Sequence, residues 1–444
     1  MNRFKAFISF TLVFCMLFIS GCTFGKTEKA DKESPVNKES MTVVEPIVSD
    51  KTVEAVKGSE AQLTEEELSF VWSYNFLDEA DKRIYRIILN MVRDLTVGWI
   101  DLGYLGSNAS YSVACAYRAV SNDFPEYFWM PVSYYLNVNN GKASLAFKKN
   151  DVEDGFGYTK EQVEEEKEYF YDSIQRVIEK TADAESNFEK ELIIHDTLCK
   201  MVTYDSEFEF GGKDNIYTAY GALVNGRAVC EGYARAFKLL CRYAGIKCIL
   251  ITGDSKGVGH IWNMVYLDSE WYHVDVTWDD LRKTPLHTYF NTTERYIRID
   301  HDIDVTYKKA DSALVSQGNS FNFSIPTADS THFSYFYKNG LLIGQNATKK
   351  IAQSIVNAYN SKQHQAEFMF ESEEAAKDFK ENYEAYVVEI QNQCIELTGD
   401  IKFKLTSLAF PSRSCIFYFE DYEKKDFISK VMDKLNNILK KGTD

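Results

Sequence analysis

Apolar positions along this chain switch between a helical and an alternating period. Tyr85, Ile88, Met91 and Val92 recur at helical spacing and predict a helix over about 64–97, interrupted near Asn75. A second helix is predicted over 111–120. Asn139-Asn140-Gly141 lies between two short apolar runs and predicts a hairpin of strands near 131–138 and 142–148. Amphipathic patterns at 160–181 and 185–202 predict two more helices. After Cys230, Tyr233, Phe237, Leu240 and Cys241 recur at helical spacing, and Gly245 is a stop signal. Residues 247–252 read as a buried strand. Residues 260–267 and 271–278 read as two more, joined by the polar turn Asp268-Ser269-Glu270. Beyond 331, strands near 333–344, 365–371, 402–409 and 413–420 alternate with helices at about 347–360, 373–394 and 423–441. The pattern predicts an α+β chain with a mainly helical region at 64–184, a central domain at 185–311 and a C-terminal α+β module at 331–444. The polar stretch 312–330 reads as a linker. No internal repeat is evident.

The start of the chain has a different character. Arg3 and Lys5 precede a long apolar run that ends in Ile19-Ser20-Gly21-Cys22. This predicts a secretion signal over 1–21, too short for a membrane span. The last four of these residues resemble a bacterial lipobox, which makes Cys22 the expected lipidation site. Residues 22–63 are polar and without hydrophobic period, and are expected to form a disordered tether. The expected location is therefore the outer face of a bacterial cell membrane, held through the N-terminal lipid.

Composition narrows the partners. The 444 residues carry 66 acidic and 50 basic side chains, a net charge of −16, which disfavours nucleic acid as a ligand. Of nine cysteines, Cys15 falls in the signal and Cys22 is the expected lipidation site. The remaining seven are odd in number and irregularly spaced, with no CxxC pair, so neither a disulfide scaffold nor a zinc site is expected. No cofactor is expected. Cys115, Cys199, Cys241 and Cys248 lie on apolar faces and read as core thiols.

The candidate chemistry lies in three short runs: Cys230 in Gly226-Arg-Ala-Val-Cys230-Glu-Gly-Tyr-Ala234, His260 in Gly259-His-Ile-Trp-Asn263, and Asp275 in Trp271-Tyr-His-Val-Asp275-Val-Thr-Trp-Asp-Asp280. A thiol, an imidazole and a carboxylate are the parts of a cysteine nucleophile, its proton partner and the group that orients the partner. Cys230 falls at a predicted helix start, where free N–H groups and the positive dipole end favour a thiolate. A two-residue loop at Asp268 and Ser269 would set Trp262 opposite Asp275 and make His260 and Asp275 diagonal neighbours on one hairpin face.

These runs resemble the nucleophile, histidine and aspartate motifs of the transglutaminase-like superfamily. Tyr289-Phe-Asn291 and Asp300-His301 are similar to the tail of that domain in bacterial surface lipoproteins. The resemblance is strong over roughly 185–305. It implies a papain-like core, with a cysteine helix packed against an antiparallel sheet that carries the histidine and aspartate. It implies either a cysteine peptidase or a protein-glutamine acyltransferase, working through a thioacyl intermediate on a peptide, protein or cell-wall peptide. Hydrolysis is the favoured outcome. The alternative is a catalytically silent surface module that binds through the same cleft. For the oxyanion, the Cys230 backbone N–H is one donor, and Tyr204, Tyr217 and Tyr220 are candidates for the second. His195, His273, His287 and His301 read as structural, Glu231, Asp279 and Asp280 as local hydrogen-bond partners, and Trp262, Trp271 and Trp278 as core.

Overall fold

The structure, a computed structural model, describes residues 47–49, 53–147, 157–206, 215–280, 285–310, 312, 315, 320–345, 347–400, 402–409 and 413–421. The signal, Cys22, most of the tether and the helix expected at 423–441 lie outside the described residues. The described residues divide into two compact units, split between Ser334 and Tyr335.

In the larger unit, α1 (Glu65–Phe70) is closed by a capping box between Thr64 and Glu67. A 3₁₀ turn over Ser73–Phe76 follows, and α2 (Glu79–Arg93) starts at the N-cap Asp78. The long helix expected over 64–97 is thus three pieces. The break is held by Asp123, at the end of α3 (Ala109–Asp123). Its carboxylate accepts from the Trp72, Ser73 and Tyr74 amides at 3.0, 2.9 and 2.9 Å. Two helices expected further on form as α4 (Lys160–Ile178) and α5 (Asn187–Met201).

The N-terminal region also holds a five-stranded sheet. Its strands are β1 (Ile47–Ser49), β2 (Val56–Lys57), β3 (Ile100–Tyr104), β4 (Tyr135–Asn139) and β5 (Lys142–Ala146), ordered β1-β4-β5-β3-β2. This corrects the tether boundary. Val56 pairs with Ile100, Ile47 pairs with Tyr135, and Ala61 is buried, so residues 47–49 and 53–63 are part of the folded unit. The β4–β5 hairpin turns at Asn140 and Gly141, both at positive φ, as the Asn-Asn-Gly signal predicts.

The central layer is α6 (Cys230–Tyr243) against a sheet ordered β8-β7-β6-β9, with β6 Lys247–Ser255, β7 Val258–Leu267, β8 Glu270–Val274 and β9 His301–Ile303. All four strands run antiparallel. Asn263 fastens the layers, its Nδ2 donating to the carbonyls of Ala234 in the helix and Ile249 in the sheet (3.0 and 3.3 Å). Gly232 is required by close approach: a Cβ there would stand 2.4 Å from the Ile216 carbonyl oxygen. The strand expected over 271–278 ends at Val274, and a one-turn helix, α7 (Val276–Asp279), follows. Asp275 caps it, with Oδ1 accepting the Trp278 N–H at 3.1 Å.

The described part of 312–330 does not behave as a linker. Asn322 is buried; its amide donates to the Thr252 and Asp304 carbonyls and its oxygen accepts the Thr252 N–H. Ser330 accepts from the Tyr272 hydroxyl, and Phe333 packs on Tyr272 and Phe188. The polar composition of this stretch serves the backbone at the sheet's edge.

The smaller unit has its own core. A sheet ordered β10-β11-β13-β12 (Leu342–Ile343, Gln365–Phe370, Ser414–Asp421 and Phe403–Ala409) packs with helices Thr348–Asn360, Glu373–Glu381 and Tyr383–Thr398 around Ile355, Phe368, Ile390 and Phe417. Two expectations change. The strand at 333–344 is a short helix, Tyr335–Lys338, followed by a two-residue strand, and the helix at 373–394 breaks at Asn382. No helix among the described residues is long and apolar enough to cross a membrane.

Candidate active site

Cys230 is the first residue of α6 and only 3% exposed. Its N–H has no acceptor within the helix, as for any first-turn residue. Its side chain clusters with Ala234, Leu250 and Ile261. The sulfur and the His260 ring are close enough to act on one another electrostatically. On its other side, His260 Nε2 is 2.7 Å from Asp275 Oδ2, which leaves Nδ1 as the ring nitrogen for the thiol. The sequence-predicted residues Cys230, His260 and Asp275 are therefore brought into one line.

The hairpin geometry behind this is the expected one. Glu270 pairs with Leu267 across the turn residues Asp268 and Ser269, both at positive φ, and Val274 pairs with Asn263. That register sets Asp275 beside Trp262, with His260 two residues further along the same face.

Burial pushes the His260 imidazole toward its neutral form. The Asp275 carboxylate, helped by Cys230, outweighs burial and raises the imidazole to about 10. Asp275 is also buried, which alone would raise it. His260 and His301 overcome that and hold it well below the usual carboxylate range.

His301, expected to be structural, joins the site. Its Nε2 lies 3.1 Å from Asp275 Oδ2, the same oxygen that meets His260, and its Nδ1 lies 2.8 Å from Asp300 Oδ1. Asp300 in turn accepts from the Tyr289 hydroxyl at 2.6 Å. The Asp300-His301 pair stood out in the sequence, but nothing local tied it to Asp275.

The tyrosine candidates separate. The Tyr204 hydroxyl is pushed up by burial and then by nearby Cys230 and Asp275, and its ring lies beside Tyr233. The residue is 39% exposed. Tyr217 lines a cleft of about 810 Å³, measured with its open mouth, which also meets Glu231 and Ile261, the neighbours of Cys230 and His260. Tyr220 is engaged elsewhere: its hydroxyl donates to Glu166, and its ring packs on Phe128 and Phe170.

The remaining polar residues form the support. Glu231 binds Arg235 (2.7 Å), and Asp280 accepts from the Tyr233 hydroxyl (2.5 Å). Asp279 lies 3.3 Å from His195 Nε2 and accepts the Tyr289 N–H. Burial raises Asp279 to about 6 despite His195. His195 Nδ1 and His287 Nε2 converge on Asp196 (3.1 and 3.0 Å). His273 is fully buried, and burial lowers it to about 3.

Among the described residues, two groups have ligand atoms spaced to surround a metal: His195, Asp196 and His287, and His260, Asp275 and His301. In both, those atoms already bond one another, and the second group is the pair that faces Cys230. Cys115, Cys199, Cys241 and Cys248 are free and buried, as expected of core thiols.

A thiol at a helix start, facing an imidazole–carboxylate pair on an antiparallel sheet, defines a papain-like cysteine fold. Residues 174–276 match the transglutaminase-like superfamily, so the chain carries a transglutaminase-like domain in an α+β setting. Among curated proteins, kyphoscoliosis peptidase of Mus musculus is 32% identical over 108 residues, covering 22% of this chain and 16% of the relative. Lim and transglutaminase domain protein ltd-1 of Caenorhabditis elegans is 35% identical over 74 residues, covering 14% of this chain and 10% of the relative. The chain thus spans a sixth or less of the length of these relatives. A crystal structure of a TGase aligns with 18% identity and a TM-score of 0.24, over 33% of this chain and 44% of that one.

Proposed function

We propose that this protein is a cysteine enzyme that acts on peptide or carboxamide bonds through a thioacyl intermediate. The observation that carries the reading is one imidazole, His260, that acts on the Cys230 sulfur on one side and meets a buried carboxylate at 2.7 Å on the other. Cys230 Sγ attacks the carbonyl carbon, and charge develops on the carbonyl oxygen beside the Cys230 N–H, with Tyr204 or Tyr217 as the second donor. His260 gives its proton to the departing amine as the C–N bond breaks, leaving a thioester. Water then attacks the thioester, His260 takes its proton, and the carboxylic acid leaves. An amine in place of water would give transamidation. Hydrolysis is the favoured outcome; an open-mouthed cleft meets Glu231 and Ile261, the chain neighbours of Cys230 and His260. The peptidase name of the murine relative is in keeping with a peptide substrate.

The apolar run ending in Ile19-Ser20-Gly21-Cys22 supports secretion and lipidation at Cys22, and so an enzyme anchored on the outer face of a bacterial cell membrane that meets protein or cell-wall peptide. The test of function is labelling by an acyl-type electrophile, followed by a peptide and cell-wall substrate screen with Cys230→Ala as control. Wild-type labelling at Cys230 with turnover of a screened amide supports the enzyme. Binding of a peptide in the cleft with no labelling would leave the silent binding module as the reading.

A further inference from the structure

We infer that His301 is a positioning residue of this site, sharing the carboxylate of Asp275 with His260 and thereby setting how tightly His260 holds its proton. The inference rests on the thiol chemistry proposed above.

The geometry is specific. Asp275 Oδ2 receives both imidazoles, His260 at 2.7 Å and His301 at 3.1 Å, while Oδ1 receives the Trp278 N–H. The His301 ring is 1% exposed, between Trp278, Trp262 and Tyr289 at centroid distances of 4.9, 5.1 and 5.4 Å. Both of its nitrogens meet carboxylate oxygens, Asp275 on one side and Asp300 on the other. A neutral imidazole carries one N–H, so only the imidazolium donates to both. Burial opposes that charge, and the two carboxylates overcome it, leaving His301 raised above an ordinary histidine.

Two cations therefore draw on one oxygen. The rings of His260 and His301 are 5.3 Å apart, and each charge disfavours the other. Other titratable or charged groups surround the pair. Cys230 and Tyr204 lie on the thiol side, and Lys256 stands over the Trp278 ring at 4.6 Å. The Tyr289 hydroxyl reaches the pair through Asp300. His273, under the influence of Arg298 and His301, stays neutral. Of these groups, His301 is the cation that touches Asp275 beside His260. Acyl transfer asks His260 both to carry a proton and to release it to the leaving amine. An Asp275 bonded to His260 alone would hold that proton harder. His301, by taking part of the same carboxylate, makes the proton easier to give.

The test is the pH profile of Cys230 alkylation by iodoacetamide, read at the Cys230 peptide by mass spectrometry, in the full chain. It needs no substrate. The upper transition in the wild type reports loss of the His260 proton. His301→Gln keeps a donor for Asp275 and removes the charge; melting temperature and circular dichroism check its fold. The expected result is an upward move of that transition by about one pH unit, with kcat on any amide substrate falling and KM unchanged. If His301→Gln does not fold, Asp300→Asn, which removes the second carboxylate that keeps His301 charged, is expected to move the transition the same way. A folded variant whose transition coincides with the wild type overturns the inference. If Cys230 in the wild type reacts no faster than in His260→Ala, the thiol reading itself fails, and the two failures are thereby told apart.

Discussion

Lys238, two turns along the helix from Cys230, lies 3.9 Å from Asp123 with both side chains buried. Burial disfavours the Lys238 ammonium, and Asp123 opposes that loss. Asp123 also gathers the amides of the 3₁₀ turn and the Tyr85 hydroxyl. One carboxylate thus joins the N-terminal helices to the helix that positions the thiol. Asp123→Ala strips the turn of its acceptor and leaves a buried cation with its opposing charge gone. The expected loss is about 3–5 kcal/mol of unfolding free energy, read by urea denaturation. A loss within experimental error would show that the pair is idle.

Within the site, Cys230→Ala is expected to abolish turnover with the fold intact, and His260→Ala to cost a comparable amount, because the two act as a unit. Asp275→Asn is the informative third variant, since Asp275→Ala would leave two buried imidazoles without their shared acceptor. Asp275 is the charge that raises His260 to about 10. Its removal is expected to bring the upper transition of Cys230 alkylation down toward the ordinary histidine value of about 6.5. This direction is opposite to that expected for His301→Gln. A transition that stays near the wild-type position in Asp275→Asn would exclude the carboxylate as the source of the shift.

Glu191 gives a stability prediction away from the thiol. It is fully buried on α5, with Oε2 accepting from Asn291 at 2.9 Å. Burial raises its carboxyl to about 8, against the Asn291 bond and the His195 charge. A carboxyl raised on folding binds its proton more tightly in the native state. Its contribution is complete below the unfolded value of about 4.3 and is lost as pH rises through about 8. Glu191→Gln keeps the shape and cannot ionise. The variant is expected to melt higher than the wild type at pH 9 and to lack the decline between about pH 4.3 and 8, measured by calorimetry across that range. Parallel melting curves for the two proteins would refute it.

Much of the site was legible in the sequence because its determinants are local. The helix after Cys230 follows from Tyr233, Phe237 and Leu240. The pairing of His260 with Asp275 follows from a two-residue turn at Asp268 and Ser269, which fixes the register of the whole hairpin. What the sequence did not show is set by distant partners. His301 reaches Asp275 because a three-residue strand pairs with the far side of the sheet, His301 opposite Ser255. The strands at Ile47–Ser49 and Val56–Lys57 are too short to show an alternation, and their partners lie far along the chain. Asn322 has the polarity of a linker residue and spends it on the Thr252 backbone in the interior.

The N-terminal lipid has a direct test. Cys22→Ala is expected to block incorporation of radioactive palmitate and to release the protein from the membrane fraction, because the reading assigns anchoring to a lipid at that residue alone. Undiminished labelling in that variant would rule out Cys22 as the acylated residue.

The last prediction concerns where the enzyme unit ends. A boundary at Ser330, as composition suggests, would cut away Phe333, which packs on Tyr272 and Phe188. It would also leave Ser330, which accepts from the Tyr272 hydroxyl, at a free end. The structural division falls four residues later, between Ser334 and Tyr335. The unit beyond it buries its own core of Ile355, Phe368, Ile390 and Phe417, so it has the means to fold alone. A chain ending at Ser334 is therefore expected to fold and to retain the alkylation rate of Cys230. A chain ending at Ser320 loses Asn322 and its four side-chain bonds to Thr252 and Asp304. Each such bond is worth about 1 kcal/mol, and more where a buried partner is left unsatisfied. That shorter chain is expected to melt several degrees lower and to show slower, less selective alkylation. Equal stability of the two truncated chains would mean that 321–334 only decorates the sheet. Unfolding of the longer one would mean that the second unit is needed to hold the thiol in place.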